Sequence, residues 1–200
     1  MEQKLKSELT KQLILNESFK LFYENGFKTT SVDKIMKTTK LTKGAFYHHY
    51  KNKKELGIAV ISLKLQQRLY EGMMAPLYNS GDALAILEAT FIDRLKSFSV
   101  YEKKHGCPMN NLINEISDYE VAYQIALKRI IEEWKSALIY LIDRGKVENT
   151  IAKNISSKAV AIYLISAFEG IRGIRKLYDN DFILDEYISG LSLYLNQIRT

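Results

Sequence analysis

Few residues in this sequence would interrupt a helix. Two prolines and ten glycines are spread over 200 residues, whereas alanine, leucine, isoleucine, glutamate and lysine fill the long stretches between them. These residue types favour helices, and no alternation of short strands and turn residues competes with them. The sequence therefore predicts an all-α protein. Its apolar fraction of 46% is ordinary for a globular chain with a sizeable core.

Long apolar runs and processing signals are also lacking. The longest wholly apolar run, residues 159–165, is far shorter than the roughly 20 residues that cross a bilayer. The N-terminus, MEQKLKSELTKQ, is charged and has no secretory signal. We therefore expect a cytoplasmic protein without a membrane partner. The single cysteine, Cys107, cannot be half of an internal disulfide.

Excess positive charge is confined to the beginning of the chain. The formal net charge is +6, and residues 1–57 hold twelve lysines against six acidic residues, whereas residues 58–200 hold seventeen of each sign. A basic segment joined to a neutral one indicates that the first binds a polyanion and that the second has another task. The alternative is a lysine-rich surface that only keeps the protein soluble.

Two helices are predicted at the start of the basic segment. The first covers residues 9–25, and Gly26 supplies the left-handed residue that ends it. Thr30 and Asp33 have the spacing of a capping box, which predicts that a short second helix begins after Thr30.

A third and a fourth helix follow closely. Thr42 can cap a helix that runs to about Tyr50, and Asn52 can cap the next one. Helices this short must pack together to be stable. A short helix, a tight turn and a second short helix with small and polar residues at its start are typical of a helix-turn-helix. In the third helix, Phe46 and Tyr50 are expected in the core of this module.

The remaining sequence predicts a helical domain. Its helices are expected at residues 53–74, 82–104, a short segment to 117, 118–144, 157–178 and 182–198, with a break at 105–108. The last two are apolar, and the first of them carries a stripe of small residues. They could complete a monomer core or pack against the same pair in a second subunit. We favour the homodimer through residues 157–198, because a helix-turn-helix generally reads two half-sites.

Residues 22–56, FYENGFKTTSVDKIMKTTKLTKGAFYHHYKNKKEL, closely resemble the TetR/AcrR family of transcriptional regulators. The resemblance implies a DNA-binding domain over residues 1–52, with a linking helix that begins near residue 53. It also implies a ligand-sensing and dimerisation domain over residues 53–200. The expected function is that of a repressor that binds double-stranded DNA at a palindromic operator and is released by an unidentified small-molecule inducer.

The third helix carries the residues expected to meet DNA. Its N-terminal residues would face base edges and phosphates in the major groove, with Lys43 in reach of either and Gly44 allowing close approach. Tyr47 offers a hydroxyl for a phosphate and a ring for a thymine methyl group. The resemblance assigns DNA contacts to Thr30, Thr42, Lys43, Gly44, Tyr47, His48 and Lys53.

The neutral domain contains candidates for a ligand pocket. Residues that could surround an inducer are Phe91, Phe98, Cys107, Trp134 and Tyr163. For each of them the alternative is an ordinary place in the core, since helical periodicity alone does not separate a pocket from a solid core.

Cys107 suggests a second way of sensing. It lies between Gly106 and a predicted helix start, where the helix dipole and neighbouring basic residues favour a thiolate. The resemblance to family members with a Gly-Cys-Leu/Pro element allows a repressor that responds to electrophiles or oxidants through this sulfur. The alternative is a buried, small apolar residue.

Other classes of protein fit the sequence less well. An enzyme that used Cys107 as nucleophile would need a base oriented by a third group, and neither this nor a phosphate-binding loop is present. His48 and His49 are adjacent on a helix and point about 100° apart, without acidic or cysteine ligands at suitable spacing. We therefore expect no enzymatic activity, no metal and no cofactor. A protein-interaction module that does not bind DNA is the remaining alternative.

Overall fold

A computed structural model describes residues 2–200, which are helical apart from turns, loops and one isolated antiparallel bridge between Ile151 and Arg199. The α-helices are α1 Glu2–Asn25, α2 Val32–Thr39, α3 Lys43–His49, α4 Lys53–Ala59, α5 Gln66–Leu69, α6 Ala83–Glu88, α7 Arg94–Ser97, α8 Val100–His105, α9 Pro108–Ile116, α10 Val121–Val147, α11 Ser157–Ile174 and α12 Phe182–Gln197. Further turns are of π type at Val60–Leu65, Tyr70–Met74 and Ala89–Asp93, and of 3-10 type at Ala75–Tyr78 and Arg175–Leu177. The all-α prediction is confirmed.

The caps of the short N-terminal helices are partly those that the sequence predicts. Thr42 accepts a hydrogen bond from the backbone N–H of Ala45, and Asn52 accepts one from that of Glu55, so both predicted caps are confirmed. The predicted cap Thr30 is wrong, because Ser31 holds that position and accepts from the N–H of Lys34.

The end of α1 and the core of the helix-turn-helix agree with the predictions. Gly26 has φ +87°, the left-handed conformation that ends α1. Phe46 is 0% and Tyr50 3% exposed, so their predicted places in the core are confirmed. The predicted start of the first helix at residue 9 is wrong, since α1 already begins at Glu2.

Packing divides the described chain into two compact units. One contains residues 2–68 and 108–129, and the other contains residues 69–107 and 130–200. None of the helices in residues 2–200 is both long and apolar enough to cross a membrane.

The first unit is larger than the segment 1–52 that is predicted to bind DNA. Residues 108–129 pack with it, and the Phe27 ring lies edge-on to the Tyr123 ring with centroids 5.4 Å apart. No side chain fits at Gly57, since a Cβ atom there would lie 2.8 Å from the Phe27 ring and 3.0 Å from that of Tyr123. The boundary at residue 52 stays a prediction about which residues meet DNA.

In the second unit, the predicted continuous helix over residues 82–104 is wrong. Helix α7 ends at Ser97, and α8 begins at Val100 after an extended residue at Phe98. The break has a local cause, because Ser99 and Glu102 form a capping box in which the carboxylate accepts from the Ser99 N–H at 3.0 Å.

The later helices lie close to their predicted positions. The break at residues 105–108 is confirmed, and Gly106 has φ +74° there. Helix α10 begins and ends three residues later than predicted, and α11 changes to a 3-10 turn before residue 178. Helix α12 ends within one residue of the prediction.

Candidate DNA-binding and ligand sites

Helix α3 presents one side to solvent and buries the other. Phe46 anchors the buried side, while the Tyr47 side chain next to it is 58% exposed. The two rings are perpendicular, with centroids 5.2 Å apart. Of the seven predicted DNA contacts, five are exposed on this helix or at its cap: Thr42, Lys43, Gly44, Tyr47 and His48.

The charge of Lys43 is balanced by a residue of the preceding helix. Its Nζ lies 2.8 Å from the Asp33 carboxylate, and both side chains are about two-thirds exposed. The hydrogen bond from Lys43 to Asp33 raises the pKa of this lysine, so it stays charged. Because an exposed ion pair contributes little net stability, a phosphate can replace Asp33 as the partner of the ammonium group.

Gly44 leaves open space at the N-terminal end of α3. A Cβ atom at this position would meet only the Thr42 Oγ1 atom, at 3.6 Å, which is ordinary van der Waals contact. The protein's own packing therefore does not require glycine here.

Two of the seven predicted DNA contacts, Thr30 and Lys53, form hydrogen bonds within the first unit. Thr30 is 0% exposed, and its hydroxyl donates to the Gly26 carbonyl at 2.7 Å. Lys53 is half-buried, with its Nζ 2.5 Å from the Phe27 carbonyl and 4.3 Å from the centroid of the Phe27 ring. Burial lowers the pKa of Lys53. Both side chains hold the turn between α1 and α2 in place.

Glu115 in α9 binds the same turn and was not identified from the sequence. Its carboxylate accepts hydrogen bonds from the backbone N–H of Phe27 at 2.8 Å and of Lys28 at 2.6 Å. A second contact joins Lys54 to Glu120 at 3.0 Å. No local pattern in the sequence connects residues that lie 88 and 87 positions apart.

An aromatic cluster occupies the core of the second unit. The Phe91 and Trp134 rings are stacked at 6.2 Å, and the Phe168 ring stands edge-on to both at 5.5 and 5.8 Å. Phe98 extends the cluster, with its centroid 6.3 Å from that of Phe168. All four rings are buried.

Three buried polar atoms, on Trp134 or on chain neighbours of the cluster's rings, have no hydrogen-bond partner within the described residues. They are Thr90 Oγ1, Trp134 Nε1 and Glu169 Oε2. Burial raises the pKa of Glu169, while Arg172 and the hydrogen bond from Cys107 oppose this shift. A buried polar group without a partner is costly.

Cys107 contacts Glu169. It is 3% exposed, and its Sγ donates to Glu169 Oε1 at 3.3 Å. Arg172 donates to the Gly106 carbonyl at 2.7 Å, and its guanidinium carbon lies 4.3 Å from the centroid of Phe98.

Tyr163 lies elsewhere. Its side chain is 50% exposed, and its ring packs against that of Tyr194 with centroids 4.5 Å apart. Four of the five candidate pocket residues are therefore buried, and Tyr163 belongs to an exposed face of α11 and α12. A Cβ atom at Gly170 or Gly173 on α11 would meet no atom within 4 Å. Ile162 and Leu193 on these helices are 44% and 62% exposed.

Residues 2–200 contain no group of three or more His, Cys, Asp and Glu side chains placed to hold a metal ion. The rings of His48 and His49 lie 4.8 Å apart on α3.

A short helix-turn-helix with an exposed basic recognition helix, followed by a helical domain, defines a DNA-binding transcriptional regulator. The profile of bacterial regulatory proteins of the tetR family matches residues 14–60, and the profile of the tetracyclin repressor-like C-terminal domain matches residues 83–191. The chain belongs to the TetR family of transcriptional regulators.

Individual relatives agree with this assignment. The transposon Tn10 TetC protein of Escherichia coli is 49% identical over 154 residues, which are 73% of this chain and 74% of that protein. The transcriptional regulator AcuR of Cereibacter sphaeroides is 23% identical over 171 residues, 82% of this chain and 75% of AcuR. The crystal structure of a TetR transcriptional regulator from Chloroflexus aurantiacus has the same fold, with a TM-score of 0.85 at 22% identity over 97% of this chain and 98% of that one.

Proposed function

We propose that this protein is a repressor that binds a palindromic operator as a homodimer and is released by a small organic inducer. The observation that carries the proposal is the exposed surface of α3, on which Thr42, Lys43, Gly44, Tyr47 and His48 face solvent beside a buried Phe46 anchor.

The N-terminal half of α3 would enter the major groove. Thr42 and the first amides of the helix bind a phosphate, and Lys43 leaves Asp33 to bind a phosphate or a guanine edge. Gly44 lets the backbone approach the DNA, and Tyr47 contacts a phosphate or a thymine methyl group. Phosphate contacts fix the position of the helix, whereas base contacts give the sequence preference.

Lys53 and Thr30 stabilise the turn between α1 and α2. Lys53 bonds to Phe27 and Thr30 bonds to Gly26 within the protein, so we assign them to holding the turn that precedes α2.

The homodimer would form through α11 and α12. The exposed stripe on α11 contains Ala159, Ser166, Gly170 and Gly173, whose small side chains allow another helix to come close. A dimer supplies two helix-turn-helix domains, one for each half-site. The half-sites lie about 34–36 Å apart, which is one helical turn of DNA.

The inducer would bind at the aromatic cluster. Phe91, Phe98, Phe168 and Trp134 supply apolar surface, and the unpartnered atoms of Thr90, Trp134 and Glu169 supply polar contacts. A planar apolar compound that both donates and accepts hydrogen bonds fits this combination.

Release requires that the inducer bind the released state of the protein more tightly than the DNA-bound state. A ligand at the aromatic cluster that displaced Glu169 would also break the contact of Glu169 with Cys107.

The proposal is tested with DNA from upstream of the protein's own gene. Fluorescence anisotropy measures the affinity for the DNA, and the emission of Trp134, the single tryptophan, measures the binding of compounds from a small-molecule panel. We expect a compound that changes Trp134 emission to lower DNA affinity. If every such compound left DNA affinity unchanged, the proposed inducer site would be wrong.

Covalent sensing by Cys107 is tested in the same assay. In Cys107→Ser the hydroxyl can still donate to Glu169, so release by a non-covalent inducer should persist. If an electrophile released wild-type protein but not Cys107→Ser, the sulfur would be the sensor instead.

A further inference from the structure

A basic cleft lies at the surface of the second unit, where the end of α8 meets the turn before α12. Its volume is about 460 Å³, which is within the range of small-molecule sites. Four cationic side chains and two carboxylates line it: Lys103, Lys104, Arg175, Lys176, Asp179 and Asp181. Val100 and Tyr178 add apolar surface to its wall.

Arg175 is a fixed cation in this cleft. It is only 4% exposed, and its Nη1 donates to the Leu95 carbonyl at 3.0 Å, which holds the guanidinium group in one orientation. Its Nη2 and Nε atoms donate to Asp181 Oδ1 at 2.5 and 3.2 Å. The planar guanidinium group matches the geometry of carboxylate and phosphate oxygens.

Asp181 occupies the place that an anionic ligand would take. It lies at the N-cap position of α12, yet its carboxylate makes no capping bond there. The carboxylate instead bonds to Arg175 and, at 3.0 Å, to Lys103. Hydrogen bonds from Arg175 and Lys103 lower the pKa of Asp181, which shows that this position favours negative charge.

The ion pairs of Asp181 leave part of the positive charge unused. Lys104 and Lys176 line the same cleft and form no ion pair within residues 2–200. The Asp181 side chain is 51% exposed, so water can solvate it when it leaves Arg175. An incoming anion would replace its contacts and gain Lys104 and Lys176 in addition.

We propose that this cleft binds a small organic oxyanion, a carboxylate or a phosphate ester, whose oxygens replace Asp181 on Arg175 and also contact Lys104 and Lys176. The apolar part of the ligand would lie against Val100 and Tyr178. This site is separate from the aromatic cluster and does not depend on the proposed inducer site.

The test is isothermal titration calorimetry of the full chain without DNA, at constant ionic strength. The probes are benzoate, phenyl phosphate and benzyl alcohol, which share a ring and differ in the polar group. We expect one or both anions to bind and the neutral alcohol not to bind. Binding of benzoate alone identifies a carboxylate site, and binding of phenyl phosphate alone identifies a phosphate site.

Variants separate this proposal from a purely structural ion-pair network. The double variant Lys104→Gln/Lys176→Gln should bind the anion at least about tenfold more weakly, because two charge-assisted contacts are lost. Asp181→Asn should bind it several-fold more tightly, because the internal competitor is weakened. The control Lys153→Gln changes an exposed lysine outside the cleft and should bind like wild type.

The proposal is overturned if neither anion binds, if benzyl alcohol binds as well as the anions, or if the double lysine variant keeps wild-type affinity. The lysine variant changes exposed residues only, so it decides the question even if Asp181→Asn does not fold.

Discussion

Gly44→Ala should have opposite effects on the stability of the protein and on its affinity for operator DNA. The added Cβ atom would meet only Thr42 Oγ1 at 3.6 Å, so the protein alone loses no packing. Because alanine is a better helix former than glycine, the variant should be more stable by about 0.5 kcal/mol. On DNA the same methyl group would lie between α3 and the groove. We expect affinity for the operator to fall at least about tenfold, which corresponds to about 1.4 kcal/mol.

Two measurements on one preparation check this prediction. Urea unfolding gives the free energy of unfolding, and fluorescence anisotropy gives the affinity for operator DNA. Asn16→Ala, an exposed substitution on α1, should raise helix stability without changing DNA affinity. If Gly44→Ala folded normally and bound the operator as tightly as wild type, close approach at α3 would be refuted.

Two further predictions concern side chains that support the sites. Glu115→Ala removes the acceptor of the Phe27 and Lys28 amides. The first unit should lose about 2 kcal/mol of stability, and hydrogen exchange at those two amides should accelerate. If the control Asp118→Ala had the same effects, the role of Glu115 would be contradicted. Burial raises the pKa of Glu169 above its usual value, so the native state keeps this proton at pH values where the unfolded chain has lost it. Stability should therefore fall as pH rises from the pKa of the unfolded chain to the higher pKa of the native state. Thermal unfolding of Glu169→Gln across the same pH range should show a flatter profile, and an unchanged profile would show that Glu169 does not cause the slope.

Local signals made the helix-turn-helix predictable from the sequence. Gly26, Thr42 and Asn52 end or cap helices through contacts with residues no more than four positions away, and such contacts leave a readable spacing. The core positions of Phe46 and Tyr50 were predictable as well, because one helical face of so short a module must be buried.

Two local capping signals did not lead to correct predictions, one at the start of α2 and one at residues 99–102. Thr30 and Ser31 both precede α2, and the spacing to acidic residues favoured Thr30, whereas the Thr30 hydroxyl is used by Gly26. The sequence Ser-Val-Tyr-Glu at residues 99–102 carries the capping-box pattern. Because the residues before and after this segment both have helical periodicity, a continuous helix was predicted across the break.

Long-range contacts were not predictable. Glu115 binds amides 87 and 88 positions away, and nothing in the local sequence encodes that pairing. Tyr163 shows a related limit, because an apolar helix face looks the same in sequence whether it is buried in its own domain or half-exposed. The aromatic cluster, by contrast, joins residues whose helical spacing indicated a buried position.

We propose that the exposed face of α3 recognises the DNA sequence. The most direct measurement is an anisotropy titration of the full chain with a palindromic fragment from upstream of its gene and with a scrambled fragment of equal length and composition. We predict tight binding to the palindrome, weak binding to the scrambled fragment, and loss of most of this difference in Tyr47→Ala. Equal affinity for the two fragments, or an unchanged preference in Tyr47→Ala, would contradict the account.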